Sequence, residues 1–120
     1  MTCSTSPFPR LIIPTFQTLE LVDANDIISI KAFENYSRIY LTNNRIYTST
    51  LSFGKFVSML ETLSFYQCHK SYIVNLDKIV RYYKNGEIEM AEGIKIPVAR
   101  RRKEAFLENL TFQLNLPKSA

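Results

Sequence analysis

Five of the nine residues in the stretch 95–103 are basic and none is acidic: Lys95, Arg100, Arg101, Arg102 and Lys103. Such a cluster can neutralise phosphates, although a run of charge also serves as an ordinary solvated face. The remaining reactive side chains do not assemble into a catalytic set. His69 is the only histidine, a metal site needs several convergent ligands, and adjacent Cys68 and His69 would point to opposite faces of a strand. With three glycines in all, the chain holds neither a Gly-x-Ser-x-Gly nucleophile elbow nor a phosphate-cradling glycine loop. No enzymatic activity, metal or cofactor is expected. Cys3 and Cys68 lack C-x-x-C spacing, so Cys68 reads as a buried, inert thiol of a reduced, cytoplasmic protein.

The basic residues are unevenly placed. Residues 1–60 carry five basic and four acidic side chains, whereas residues 61–120 carry ten and seven, so most of the net +4 charge belongs to the second half. The length of 120 residues, with 46% hydrophobic and 22% charged, fits one soluble domain that closes a core without disulfides. No apolar run approaches the roughly 18 residues of a membrane span, and Pro14 interrupts the run Leu11-Ile12-Ile13. The first ten residues lack the basic and apolar regions of a secretory signal. Residues 1–14 are expected to be linker, 15–110 the folded domain and 111–120 a tail that frays.

The elements that must position the basic cluster are mainly strands. Residues 16–22 alternate imperfectly through Phe16, Leu19 and Leu21, and 27–33 alternate clearly through Ile28, Ile30 and Ala32. Asn43-Asn44, between the runs 37–42 and 45–50, tolerates the positive φ of a hairpin turn. Phe53, Phe56, Val57, Leu60 and Leu63 then fall at helical spacing, with Thr50 or Ser52 available as the cap. A meander follows: 78–83, Asn85-Gly86, 87–91, Glu92-Gly93 and 94–98, where Pro97 ends the last strand or lies on an edge. A second helix over about 100–110 should bury Phe106, Leu107 and Leu110.

Between these blocks, residues 65–76 (Phe-Tyr-Gln-Cys-His-Lys-Ser-Tyr-Ile-Val-Asn-Leu) pack polar donors beside an apolar run. Together with Ala32-Phe33-Glu34-Asn35-Tyr36-Ser37 and Ile96-Pro97-Val98-Ala99-Arg100, in this order and spacing, they resemble the LytTR family of DNA-binding domains. The resemblance covers roughly residues 15–110. It implies a mostly β fold, an elongated arrangement of small antiparallel β-sheets with two short helices, whose connecting loops enter successive major grooves of double-stranded DNA.

In the family pattern three positions contact bases: a polar residue in the loop before the third expected strand, the residue after the histidine, and an arginine after the Ile-Pro-Val-like strand. Here these are Asn35, Lys70 and Arg100. The usual His-Arg-Ser-Tyr is His69-Lys70-Ser71-Tyr72 in this chain, which keeps the charge and loses the guanidinium fork. The residue types suit the role, since Arg and Lys reach guanine O6 and N7 and Asn pairs with adenine. Arg101, Arg102 and Lys103, with Lys95 or Arg38, are candidates for phosphate contact, and helix N-termini near Ser71 and Arg100 could add N–H groups. Tyr36, Ser37, His69 and Ser71 are expected either to touch the DNA backbone or to orient the loops. Structural alternatives stand beside several of these: packing for Tyr36, a turn cap over 72–75 for Ser71, and backbone ties for Asn75.

The resemblance implies a transcriptional regulator, either the output domain of a two-component response regulator or a stand-alone protein. Paired direct repeats with a second protomer on the DNA would be its target. Neither a membrane nor a small-molecule substrate is expected. The competing expectation is a basic protein-interaction module that meets an acidic partner through its loops and strand edges.

Overall fold

The computed structural model describes residues 10–114. Its strands are β1 (Arg10–Pro14), β2 (Leu19–Asp23), β3 (Ile27–Phe33), β4 (Tyr36–Leu41), β5 (Arg45–Ser49), β6 (Phe65–His69), β7 (Tyr72–Asn75), β8 (Ile79–Tyr83), β9 (Glu87–Met90) and β10 (Lys95–Pro97). Helix α1 (Phe53–Leu60) separates β5 from β6, and α2 (Lys103–Leu114) follows β10 through a 3-10 turn at Arg100–Arg102. All pairings are antiparallel. They give a β1-β2 hairpin, a five-stranded sheet in the order β5-β4-β3-β7-β6, and a three-stranded sheet in the order β10-β9-β8.

The five-stranded sheet is the middle layer. One core, with Ile13, Val22, Ile30, Ile39, Phe56, Leu60 and Ile73, joins it to the β1-β2 hairpin and α1. A second core, with Ile28, Cys68, Val74, Ile88, Ile96 and Phe106, joins it to the three-stranded sheet and α2. Simple alternation places Ile28 and Ile30 on one face, but a register shift between Ile27 and Ser29 sends Ile27 and Ile30 to the first core and Ile28 to the second. A strand buried on both sides needs apolar residues on both, and a bulge supplies the change of phase.

Several turns form for the reasons that composition gives. Asn43 and Asn44 adopt φ of 65° and 57°, which asparagine tolerates better than most residues. The Ser52 hydroxyl accepts from the Lys55 N–H and caps α1. Gly86, at φ 99°, occupies the β8-β9 turn, where a Cβ would run into the Lys103 side chain. β10 ends at Pro97 and lies on a sheet edge, so the missing proline N–H is not required by a ladder.

Other expectations need correction. Residues 10–14 are not linker: they form β1, and Ile13 is fully buried. In β2 the buried residue is Val22, while Leu19 and Leu21 remain 64% and 55% exposed and Phe16 lies outside the strand, also exposed. The face of the hairpin that meets the sheet is the one where Leu11 pairs with Val22 and Ile13 with Glu20. Residues 72–75 are a strand rather than a capped turn, and 65–69 are a second strand beside it. Neither shows a clean period of two, because β7 is buried on both faces and β6 carries a bulge. Helix α2 runs on to Leu114, and Leu107 is exposed, with Phe106 and Leu110 facing the core. The rest of the expected tail, 115–120, lies outside the described residues.

Asn75 locks the middle layer. Its amide Nδ2 donates to the Ile27 carbonyl at 2.8 Å and its Oδ1 accepts from the Asp77 N–H at 3.0 Å, in a buried position. Asn75→Ala orphans a buried carbonyl and an N–H together, so urea unfolding should show a loss of about 2–4 kcal/mol. A loss below about 0.5 kcal/mol would show that water replaces both bonds.

Candidate nucleic-acid interface

Three chain segments meet at one end of the molecule, and backbone hydrogen bonds set their order. The β3-β4 turn, Glu34 and Asn35, adjoins the β6-β7 turn because the Ala32 N–H donates to the Ser71 carbonyl at 2.8 Å. The β6-β7 turn in turn adjoins the segment between β10 and α2, because the Ala99 N–H donates to the Cys68 carbonyl at 2.9 Å. The Asn85-Gly86 turn closes the row from outside: the Val98 N–H donates to the Gly86 carbonyl at 2.8 Å. Chain connectivity from these bonds keeps the Lys70 Cα within about 18 Å of Arg100 and within about 21 Å of Asn35.

Asn35, Lys70 and Arg100 are all exposed, one on each segment. Arg101 is also exposed. The two-residue β3-β4 turn is tight, and Glu34 adopts a φ of 55° beside Asn35, which a non-glycine residue does at a cost.

The neighbouring side chains hold the row together. His69 Nδ1 accepts from the Ser71 N–H at 3.1 Å, and its ring stands edge-on to Tyr72 with centroids 5.5 Å apart, so His69 orients the turn that displays Lys70. Ser71 is not a helix cap; its N–H and its carbonyl are both engaged in these turn bonds, and the segment after it is a strand. A helix N-terminus near Ser71 is therefore absent from the site. Ser37 is fully buried, with its hydroxyl donating to the Leu51 carbonyl at 2.9 Å, which removes it from contact with DNA. Tyr36 packs edge-on against Phe16 at 5.1 Å. The Arg102 guanidinium donates to the Gln67 carbonyl at 2.9 Å, and Lys103 Nζ donates to the Asn85 carbonyl at 3.1 Å. Both cations thus brace turns within the protein.

Arg38 lies over the Phe33 ring at 4.2 Å. It is the cross-strand partner of Lys31, whose ammonium stands 5.8 Å from the Tyr72 ring. Lys31 thus joins the basic face next to the first two turns, a residue that sequence reasoning passed over although its alternation with Phe33 was visible. Lys84, exposed just before Asn85-Gly86, was passed over as well. Lys95 is placed differently: it pairs with Glu89 across β9 and β10 and stands 5.5 Å from the Tyr83 ring. Its contacts belong to the outward face of the three-stranded sheet.

Among the described residues no three His, Cys, Asp or Glu side chains gather as metal ligands. An open, mostly apolar groove of about 230 Å³ between α1 and β6 is lined by Val57, Leu60, Phe65 and Ile73, with Glu61 as its one acidic group. The layered β scaffold thus aligns three short loops, each carrying an exposed polar or basic side chain. The sequence profile of the LytTr DNA-binding domain matches residues 17–111, and the chain belongs to that family. In fold it is similar to the LytTr DNA-binding domain of a protein from Bacillus cereus described as a methyl-accepting/DNA response regulator: TM-score 0.70 and 21% identity, over 84% of this chain and 94% of that one. A search of curated proteins finds no match.

Cys68 sits directly behind the row. It is fully buried in the second core, and its Sγ approaches the Pro97 carbonyl at 3.7 Å. Burial pushes its thiol from 9.0 up to about 12, against smaller opposing effects of a backbone hydrogen bond and of the Arg102 charge. The folded pKa is the higher one, so the thiol's contribution to stability is intact below about pH 9 and is lost as pH rises toward 12. The stability difference between the wild type and Cys68→Ala should therefore narrow above pH 9, by about 1.4 kcal/mol per pH unit, as read from urea midpoints. A difference that stays constant to pH 10.5 would show that the thiol ionises freely in the folded chain.

Proposed function

We propose that this chain is a sequence-specific reader of double-stranded DNA that regulates transcription. The observation that carries this reading is the row of three turns, tied by Ala32 to Ser71 and by Ala99 to Cys68, that exposes Asn35, Lys70 and Arg100 together. Arg100 and Lys70 offer donors to guanine O6 and N7, and Asn35 offers the donor and acceptor that pair with adenine in the major groove. Arg101, Arg38, Lys31 and Lys84 flank the row as phosphate contacts, which hold register and carry no sequence information.

In this reading the three turns enter successive major grooves of the duplex, with Lys70 between Asn35 and Arg100, and paired direct repeats would take two protomers. The fold likeness to a domain of a response regulator supports an output role in a two-component system, with a stand-alone regulator as the other form. No helix among the described residues is long and apolar enough to cross a membrane, and a cytoplasmic location suits this function.

Selection from randomised duplexes followed by anisotropy titration should yield a recurring motif preferred over a scrambled duplex by roughly a thousandfold. Asn35→Ala, Lys70→Ala and Arg100→Ala should each cut that preference by about five- to a hundredfold, at different base positions. Arg101→Ala should weaken binding to every duplex and flatten the log–log salt slope by about 0.9. Equal losses on all sequences for the first three variants would contradict base reading. Weak, steeply salt-dependent binding by the wild type to every duplex would instead favour a basic module for an acidic protein partner.

A further inference from the structure

The β6 strand departs from its ladder where it approaches the site. Its pairing with β7 runs through Phe65 with Asn75 and Tyr66 with Val74, shifts, and resumes at His69 with Tyr72. Gln67 and Cys68 form the irregular stretch between these pairs, and their carbonyls bond elsewhere. The Gln67 carbonyl accepts from Arg102 Nη1 at 2.9 Å, and the Cys68 carbonyl accepts from the Ala99 N–H at 2.9 Å. Both donors flank Arg100, and both acceptors lie just before His69-Lys70. The Cys68 thiol adds a third, weaker bond to the Pro97 carbonyl at 3.7 Å.

We propose that Arg102 is a positioning residue for DNA recognition: by clamping the β6 bulge to the β10-α2 segment it sets the offset between Lys70 and Arg100. This role rests on the base-reading function above. The geometry separates Arg102 from its neighbours in the arginine run. Arg100 and Arg101 are exposed, whereas Arg102 is half-buried with its guanidinium spent on a backbone carbonyl. The chemistry explains why a cation serves there. An irregular strand stretch leaves a carbonyl without a ladder donor, and a charge-assisted N–H bond satisfies it more strongly than a neutral one. A 3-10 turn holds Arg102 two residues beyond Arg100, so a shift of the clamp moves Arg100 with it. Base readout by two side chains on different loops depends on their separation to within a fraction of an ångström, whereas attraction to phosphates hardly does.

The test compares Arg102→Met, which keeps length and apolar stem but loses charge and donors, with Arg102→Lys, which keeps a donor and the charge. Arg101→Met controls for charge. Binding is measured on the selected duplex and on its scramble across a salt series, and amide hydrogen exchange at Ala99 is followed in the free protein. Arg102→Met should cut the preference for the selected duplex about tenfold or more, leave affinity for the scramble and its salt slope unchanged, and speed exchange at Ala99. Arg102→Lys should recover most of the preference. Arg101→Met should do the reverse, flattening the slope and keeping the preference.

A flattened slope with the preference retained in Arg102→Met would make Arg102 a phosphate contact and overturn the proposal. So would unchanged binding and unchanged exchange. If Arg102→Met does not fold, Arg102→Lys decides: wild-type preference with wild-type exchange supports the clamp, and lost preference at wild-type exchange overturns it. A wild type that shows no preference for any duplex overturns base reading and this role with it, whereas a wild-type preference that survives Arg102→Met overturns this role alone.

Discussion

Everything at the end that carries the three turns depends on the pairing of β3 with β7. Ser29 meets Val74, Ile30 meets Ile73 and Lys31 meets Tyr72, and the Ala32 to Ser71 bond extends the ladder one step into the turns. This contact joins the two halves of the chain across a long loop, whose closure costs entropy that only later burial offsets. Burial comes on both sides, because the joined strands form the centre of a sheet with a core on each face. The side chains there, several of them fully buried, contribute roughly 1.5–3 kcal/mol each. Without that pairing the β3-β4 and β6-β7 turns would have no common frame.

The basic and polar residues then sort by what they are bonded to. His69, Ser71, Arg102 and Lys103 satisfy backbone groups of the turns, which keeps those turns from wandering. Asn35, Lys70, Arg100 and Arg101 remain exposed and free for an external partner. A rigid row of turns with unoccupied tips suits recognition, since little ordering entropy is left to lose on binding. The far end is secured separately: the Glu92 carboxylate accepts from the Asn43 and Asn44 N–H groups at 2.7 and 3.0 Å, tying the β4-β5 hairpin to the β9-β10 connection.

Much of the scaffold was legible beforehand. The Asn43-Asn44 and Asn85-Gly86 turns follow from the backbone freedom of asparagine and glycine, Pro97 marks a strand end or edge by its missing N–H, and a cap at Thr50 or Ser52 follows from a hydroxyl just before the helix, with the fold selecting Ser52. The strands β1, β6 and β7 were not legible as strands. β7 is short and buried on both faces, β6 is irregular, and in the β1-β2 hairpin the exposed face carries Leu19 and Leu21. Period-two reasoning needs polar residues on a wet face and apolar ones on a dry face; β6 and β7 lack that contrast, and the exposed face of β1 carries the apolar Ile12.

For the candidate site, the family resemblance pointed to Asn35, Lys70 and Arg100, and the fold brings the turns that carry them side by side, with all three side chains exposed. Which cations face outward was a different matter. In sequence the run Arg100 to Lys103 is nearly uniform, yet Arg102 and Lys103 turn inward to carbonyls contributed by Gln67 and Asn85, and Lys95 joins the far face of another sheet. Those acceptors are backbone atoms, identical in every residue, so no pattern of side chains announces them. Their positions exist only once β6 bulges and the β8-β9 turn closes. The sequence therefore determined the turns and the residue types they carry, and the fold decided which cations bond within the protein and which stay exposed, because hydrogen bonding to backbone carbonyls is settled by geometry across the chain rather than by local composition.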